Sequence, residues 1–299
     1  MPLDIHSLTD ADFDALPLVV EGESKIVRDA GEGLCVIRYK PTIYSFTQNR
    51  AAWVEGSNIL RLKATRVFLE VLRAAGIDHA YVDVGERYVL SRLIQSPPPI
   101  EVIIKAFHSG TSKHRYYGMG KKYRVRASHP YFGGRSFDPE DGYPTLVVRF
   151  DWRNPMWHPE KVAAQRKRAQ EWLDQFESSP GMPKEMYEWP ADERRKVMLA
   201  DEVLCDAQAD WFIAVEEAKM TALRTFTTLQ DFLAERDVIL YDLCLFITED
   251  GKTVFGEISQ DCGRFRHFDL GSLDKDVWRA GGSSEAVLEK WGLLLKVIS

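Results

Sequence analysis

A chain of 299 residues, 45% hydrophobic and 28% charged, is long enough to bury one large core or two closely joined ones. Its 39 basic and 45 acidic side chains leave a net charge of −6, which excludes a general nucleic-acid binder, whose affinity rests on excess cations. No apolar run approaches a bilayer span, and Met1-Pro-Leu-Asp-Ile-His6 has no basic stretch leading into an apolar one, so neither membrane nor secretion is expected and the expected compartment is the cytoplasm.

The first hundred residues read as β-rich. Leu18–Val20, Ser24–Arg28 and Leu34–Tyr39 are short β-prone runs separated by Glu21-Gly22 and by Asp29–Gly33. Asn58–Ala75 mixes apolar and basic positions and stops before Gly76, which predicts a helix with a glycine stop. Tyr81–Ser96 has room for two further strands, and Pro97-Pro-Pro99 then breaks the chain, so a β-rich domain over residues 1–98 is expected. Ile100–Lys105 and Thr145–Phe150 predict strands, with the loop Ala106–Ser112 after the first. Residues 159–236 are helical in pattern, interrupted at Ser178–Pro183 and near Pro190. Val238–Ile247 and the run from Val254 flank the turn Thr248–Thr253, which predicts a hairpin, and Glu285–Ile298 predicts a closing helix. The fold class is α+β, with residues 99–299 as a larger C-terminal domain.

Chemistry-bearing residues gather in three places. If the run after Val254 is a strand, Glu257, Ser259 and Asp261 share one face, with Arg264 closing the row. Two carboxylates, a hydroxyl and an arginine suit a polar site. The turn Glu21-Gly22-Glu23-Ser24-Lys25 could hold a nucleotide phosphate on its backbone N–H groups and Lys25; an ordinary hairpin is the competing reading. Lys105, ending an apolar strand, precedes Ser109, Gly110, Thr111 and Ser112, small donors suited to a phosphate; a solvated basic surface competes here. His108, His114, His129, His158 and His267 have no distinguishing spacing. Cys35, Cys205, Cys244 and Cys262 are scattered without a Cys-x-x-Cys pair, so buried thiols are expected rather than zinc ligands or disulfides.

Six segments in order resemble the SAICAR synthetase family: Glu21–Asp29, Pro99–Lys105 with Gly110-Thr111, Asp151–Pro155, Tyr241–Ile247, Gly256–Arg264 and Leu273–Arg279. The resemblance spans residues 20 to 279 and implies a SAICAR synthetase-like, ATP-grasp-like fold; the stretch 157–200 reads as a helical insertion without counterpart. It implies ATP and magnesium as cofactors, a small ribonucleotide as substrate and partner, and a homo-oligomer, with no nucleic acid or membrane involved.

The departures bear on the reaction. By this matching the family's metal-binding glutamate and aspartate fall on Phe246 and Gly256, and its lysines on Cys244 and Glu23. "Ser-Ala-Phe-Asp" and "Lys-Gly" are matched by Tyr44–Thr47 and Gly56-Ser57. Phenylalanine and glycine offer magnesium no oxygen, so no metal ligands are assigned; a matching shifted by one or two residues would offer Asp242 or Glu257 as stand-ins. The nucleotide-binding residues implied are Glu21, Gly22 and Lys25, and the substrate-binding ones Lys105, Ser109, Gly110, Thr111, Ser112 and Arg264. Glu257 and Asp261 are implied as the catalytic proton carriers. The leading expectation is an enzyme remodelling a purine-type or imidazole ribonucleotide in nucleoside-antibiotic biosynthesis (pentostatin, coformycin or formycin type) without magnesium-ATP chemistry. An authentic ATP-dependent amide ligase and a catalytically silent nucleotide-binding protein stand as alternatives.

Overall fold

The computed structural model describes residues 3–45, 50–107, 124–136, 142–152 and 203–299. The β-prone runs of the N-terminal third become β1 (Leu18–Glu21), β2 (Lys25–Gly31), β3 (Leu34–Tyr39), β6 (Tyr81–Val84) and β7 (Tyr88–Arg92). They form an antiparallel sheet in the order β1-β2-β3-β7-β6. The β2–β3 turn places Gly31, Glu32 and Gly33 successively at φ 79°, 55° and 75°, a left-handed path that glycine permits cheaply. A short hairpin, β4 (Thr42–Ser45) with β5 (Arg50–Trp53), follows β3.

The second sheet is built from β8 (Ile100–Phe107), β9 (Gly142–Trp152), β10 (Val203–Leu204), β11 (Val238–Ile247), β12 (Val254–Phe255), β13 (Gly263–His267) and β14 (Gly271–Ser272). Its order is β10-β9-β8-β11-β13-β14, with β12 also on β11. The helices are α1 (Asp10–Ala15), α2 (Ser57–Ala74), α3 (Asp206–Ala209), α4 (Val215–Ala234), α5 (Asp276–Arg279) and α6 (Ser284–Ile298). Helix α2 ends as expected, with Gly76 at φ 66°. In the expected helical stretch 159–236, the described part from residue 203 opens with a two-residue strand before α3 and α4. The insertion at 157–200 lies outside the described residues.

Alternation along the large sheet separates an apolar face from a polar one. Ile100, Val102, Ile104, Phe150, Leu240, Leu243, Leu245 and Phe265 are buried in one core with Ala222, Phe226 and Leu229 of α4. The intervening positions carry Glu101, Lys105, Arg149, Asp151, Asp242, Cys244, Arg264 and Arg266. Helix α2 serves both sheets. Ala64, Phe68 and Leu72 join the large core, while Leu62 and Leu69 pack with Cys35, Ile37, Tyr39 and Tyr81 of the small sheet. Backbone bonds from Val254 N to Asp78 O (3.0 Å) and Ala80 N to Val254 O (2.8 Å) tie the approach to β6 onto the hairpin.

Candidate active site

The hairpin forms, but its second arm is interrupted where the alternation argument needed a strand. Strand β11 pairs Ile247 with Val254 and Phe246 with Phe255, then resumes at Leu243 with Gly263 and Asp242 with Arg264. Residues 256–262 therefore leave the ladder as a loop opposite Cys244 and Leu245. The exit is Gly256, at φ 84°, a conformation that breaks the extended path. Glu257, Ser259 and Asp261 are accordingly loop residues, not a row on one strand face.

Within this loop Glu257 and Ser259 do meet, and Asp261 turns elsewhere. The Ser259 hydroxyl donates to Glu257 Oε1. Arg61 of α2 grips the same carboxylate with both arms, Nε to Oε1 at 2.7 Å and Nη2 to Oε2 at 2.5 Å. Lys25, at the start of β2, adds its ammonium 2.9 Å from Oε2. Arg61 also donates to the carbonyls of Lys40 (3.2 Å) and Thr42 (3.4 Å), and both cations lie 5.0 Å from the Tyr39 ring centroid. Burial alone would push the Glu257 carboxyl up, but Arg61 and Lys25 outweigh it and hold it well below the usual carboxylate range. Such a group is a permanent anion that orders three segments. With its oxygens committed to Arg61, Lys25 and Ser259, Glu257 has the contacts of a structural anion, in contrast to the proton carrier expected from the sequence.

Asp261 is half-buried and pairs with Lys275 at 3.0 Å; Lys275 also donates to Tyr44 O at 3.1 Å. On either side of Lys275, Asp274 and Asp276 turn to β13. Asp274 accepts from Arg266, and Asp276 accepts from Arg264 (3.1 Å), Arg266 and Arg279. The segment Leu273–Arg279 thus alternates, its acids to the sheet arginines and its lysine to the loop.

On the sheet's polar face, register brings together residues far apart in sequence. Asp242 stands opposite Lys105 on one side and Arg264 on the other. Its Oδ2 accepts from Lys105 Nζ at 3.2 Å and from Arg264 Nη1 at 2.5 Å. Lys105 is buried, and burial lowers the affinity of its amine for a proton against the pull of Asp242. Both expected substrate-binding cations therefore converge, on an aspartate the sequence reading named only as a stand-in ligand. Ser109, Gly110, Thr111 and Ser112 lie outside the described residues. In the 21–25 turn, Lys40 holds Glu21 Oε1 at 2.5 Å and Gly22 O at 2.9 Å, and Gly22 N donates to Lys25 O at 2.8 Å.

Phe246 and Gly256, the positions matched to metal ligands, are neighbours in space. A Cβ on Gly256 would stand 2.9 Å from Phe246 Cδ2, and the Phe246 ring stacks on Phe255 with centroids 5.7 Å apart. The place is filled by hydrocarbon. The stand-in carboxylates are engaged, Asp242 by Lys105 and Arg264 and Glu257 by Arg61 and Lys25. These donors do not fit a magnesium ion, which needs carboxylate or phosphate oxygens in octahedral array. Gly256→Ala should cost about 1–3 kcal/mol in chemical denaturation, from left-handed strain plus overlap with the ring. Pairing it with Phe246→Ala should not restore the strain part; full restoration would show that overlap alone fixes glycine here.

Arg61, Lys275, Asp274 and Asp276 are further members of this site that the sequence alone does not mark as one group. Ser57, Arg61 and Thr65 recur every fourth residue in α2, a polar stripe whose spacing was readable, and all three are buried.

No family model matches the chain. It is 30% identical, in an alignment 297 positions long that covers 91% of this chain, to "Bifunctional cordycepin biosynthesis cluster protein 3" of Cordyceps militaris, and spans about a third (32%) of that protein. It is 26% identical over 270 residues to a phosphoribosylaminoimidazole-succinocarboxamide synthase of Methanopyrus kandleri, covering 88% of this chain and 86% of that one. Among solved structures, a type-2 SAICAR synthetase in complex with ADP matches 94% of this chain and 97% of its own at TM-score 0.64 and 19% identity. The Saccharomyces cerevisiae SAICAR synthase complexed with SAICAR matches 95% and 94% at TM-score 0.62 and 14% identity. The chain thus shares the SAICAR synthetase fold along nearly its whole length and is similar in sequence to a phosphoribosylaminoimidazole-succinocarboxamide synthase.

Proposed function

We propose that this protein is an enzyme acting on a purine-type or imidazole ribonucleotide in the biosynthesis of a purine-analogue nucleoside, of the pentostatin, coformycin or formycin type. The reaction is a remodelling of the heterocycle rather than a magnesium-ATP ligation. The observation that carries this reading is the Phe246–Gly256 contact at the matched metal position, beside an intact set of cations at Lys105 and Arg264. The relative from Cordyceps militaris, whose name ties it to cordycepin biosynthesis, supports the pathway class. In this reading Arg264 and Lys105 meet the substrate phosphate, Asp242 keeps those cations in place, and Asp261 moves protons against Lys275. Glu257 positions the loop that carries Asp261.

Calorimetry tests it with a purine or imidazole ribonucleoside 5′-monophosphate, first alone and then with magnesium and ATP. The expected result is micromolar binding of the monophosphate without magnesium, and no release of ADP when an amino acid is added. Magnesium-dependent ADP release would instead establish the ligase that the Methanopyrus relative's name describes. Absence of binding by either nucleotide would overturn the enzyme reading altogether.

A further inference from the structure

Cys262 is the last residue of the 256–262 loop, and Cys244 faces it from β11. The ladder pairs Asp242 with Arg264 and Leu243 with Gly263, so the next pair in register is Cys244 with Cys262. One bond of that pair is made, Cys244 N to Cys262 O at 2.8 Å, while Cys262 N turns back to Ser259 O at 3.0 Å. Residues opposite one another in an antiparallel pair share a face, with Cα atoms about 5.5 Å apart when hydrogen-bonded. That separation falls inside the range of about 4.4–6.8 Å that a disulfide spans. With only one of the two ladder bonds made, the end of the loop can bring the Cβ atoms closer without breaking β13. Both thiols are free and half-buried, and the Cys244 thiol donates to Glu101 Oε2 at 3.4 Å. The other two cysteines lie elsewhere. Cys35 is in the small sheet, where its thiol reaches Arg92 O at 3.9 Å, and Cys205 is exposed just before α3.

We propose that Cys244 and Cys262 are a thiol–disulfide pair, whose oxidation staples the 256–262 loop to β11 and so switches the candidate site. The oxidant is a small disulfide such as glutathione disulfide. One cysteine thiolate attacks it, forming a mixed disulfide and releasing one glutathione. The facing thiolate then attacks the cysteine sulfur of that mixed disulfide, forming the Cys244–Cys262 bond and releasing the second glutathione. The two cysteine protons end on the two glutathione thiols, and the two electrons lost by the protein reduce the glutathione disulfide. Burial pushes both thiols up, Cys262 to about 12, so the exchange is slow. The staple acts on Asp261, next to Cys262 and paired with Lys275 at 3.0 Å, and it takes the Cys244 thiol from Glu101. Drawing Cys262 toward β11 pulls on that ion pair and on Arg264, two residues further along. The effect on a ligand rests on the ribonucleotide reading above; the bond itself does not.

The test incubates the folded full chain with millimolar glutathione disulfide, alkylates the remaining thiols and maps the peptides by mass spectrometry. Cys244 and Cys262 should appear in one cross-linked pair of peptides that dithiothreitol separates, while the exposed Cys205 carries glutathione or alkylator. The oxidised protein should bind the ribonucleoside monophosphate about tenfold more weakly than the reduced protein, since a small displacement of a positioning loop is costly. C262S should bind equally with and without oxidant. Glutathione or alkylator on both thiols of the folded protein, with no link between them, overturns the proposal. So does a link that leaves the affinity unchanged, or an equal loss in oxidised C262S. If C262S does not fold, C244S takes its place. If the reduced wild type binds no monophosphate, the function proposed above fails. The peptide map then still judges the pair, together with an oxidant-dependent shift in melting temperature that C262S should lack.

Discussion

Arg61→Ala should destabilise the fold by about 3–5 kcal/mol, the largest loss expected from any single change at this site. The reason lies in what would be left behind. Glu257 is buried, and its carboxylate is satisfied by two bonds from Arg61, one ion pair with Lys25 and the Ser259 hydroxyl. Removing the guanidinium strands a negative charge in a low-dielectric setting and also empties the space beside Tyr39. Lysine at 61 would return a charge but not the two parallel bonds, so Arg61→Lys should recover only part of the loss. The double change Arg61→Met with Glu257→Leu removes both charges at similar volume and should lie closer to the wild type than R61A does. Guanidinium denaturation of the four proteins checks this. A loss below about 1 kcal/mol in R61A would mean that Glu257 finds water or another cation.

Much of this architecture was legible because it rests on local rules. The β2–β3 turn, the glycine stop after α2 and the strands at Ile100 and Val238 follow from turn chemistry and alternation, and they stand within a residue or two of where pattern put them. The site was legible in its members more than in its geometry. Alternation failed at Glu257 because one left-handed glycine ends β12, and a glycine in a β-prone run does not announce which conformation it takes. Arg61 escaped notice because a basic residue on a helix is normally solvated. Only burial against Glu257, 196 residues further along the chain, gives it another meaning. Lys105, Asp242 and Arg264 were each named in the sequence. Their convergence depends on the register of three strands, which hydrophobic pattern restricts but does not pair.

That convergence yields the second large effect. Asp242→Ala should cost about 3 kcal/mol in phosphate-free buffer, because it withdraws the counter-charge shared by Lys105 and Arg264 on a largely buried sheet face. Asp276 still holds Arg264 by its Nε, so the arginine keeps its place while its Nη1 loses an acceptor. Two cations directed at one spot make a stronger anion site than before. Inorganic phosphate should then raise the melting temperature of D242A more than that of the wild type, since an anion bound only by the folded state stabilises it by mass action. Asp242→Asn keeps the shape and an acceptor oxygen and should fall between the two. Thermal denaturation across a phosphate series separates the possibilities. If phosphate shifts wild type and D242A equally, Lys105 and Arg264 do not form an anion site at residue 242. The ribonucleotide phosphate would then have to be sought elsewhere. If the shift is selective, the aspartate is what keeps these cations poised in the ligand-free protein. Substrate binding then becomes an exchange of partners, in which a phosphate joins or displaces a carboxylate already in place.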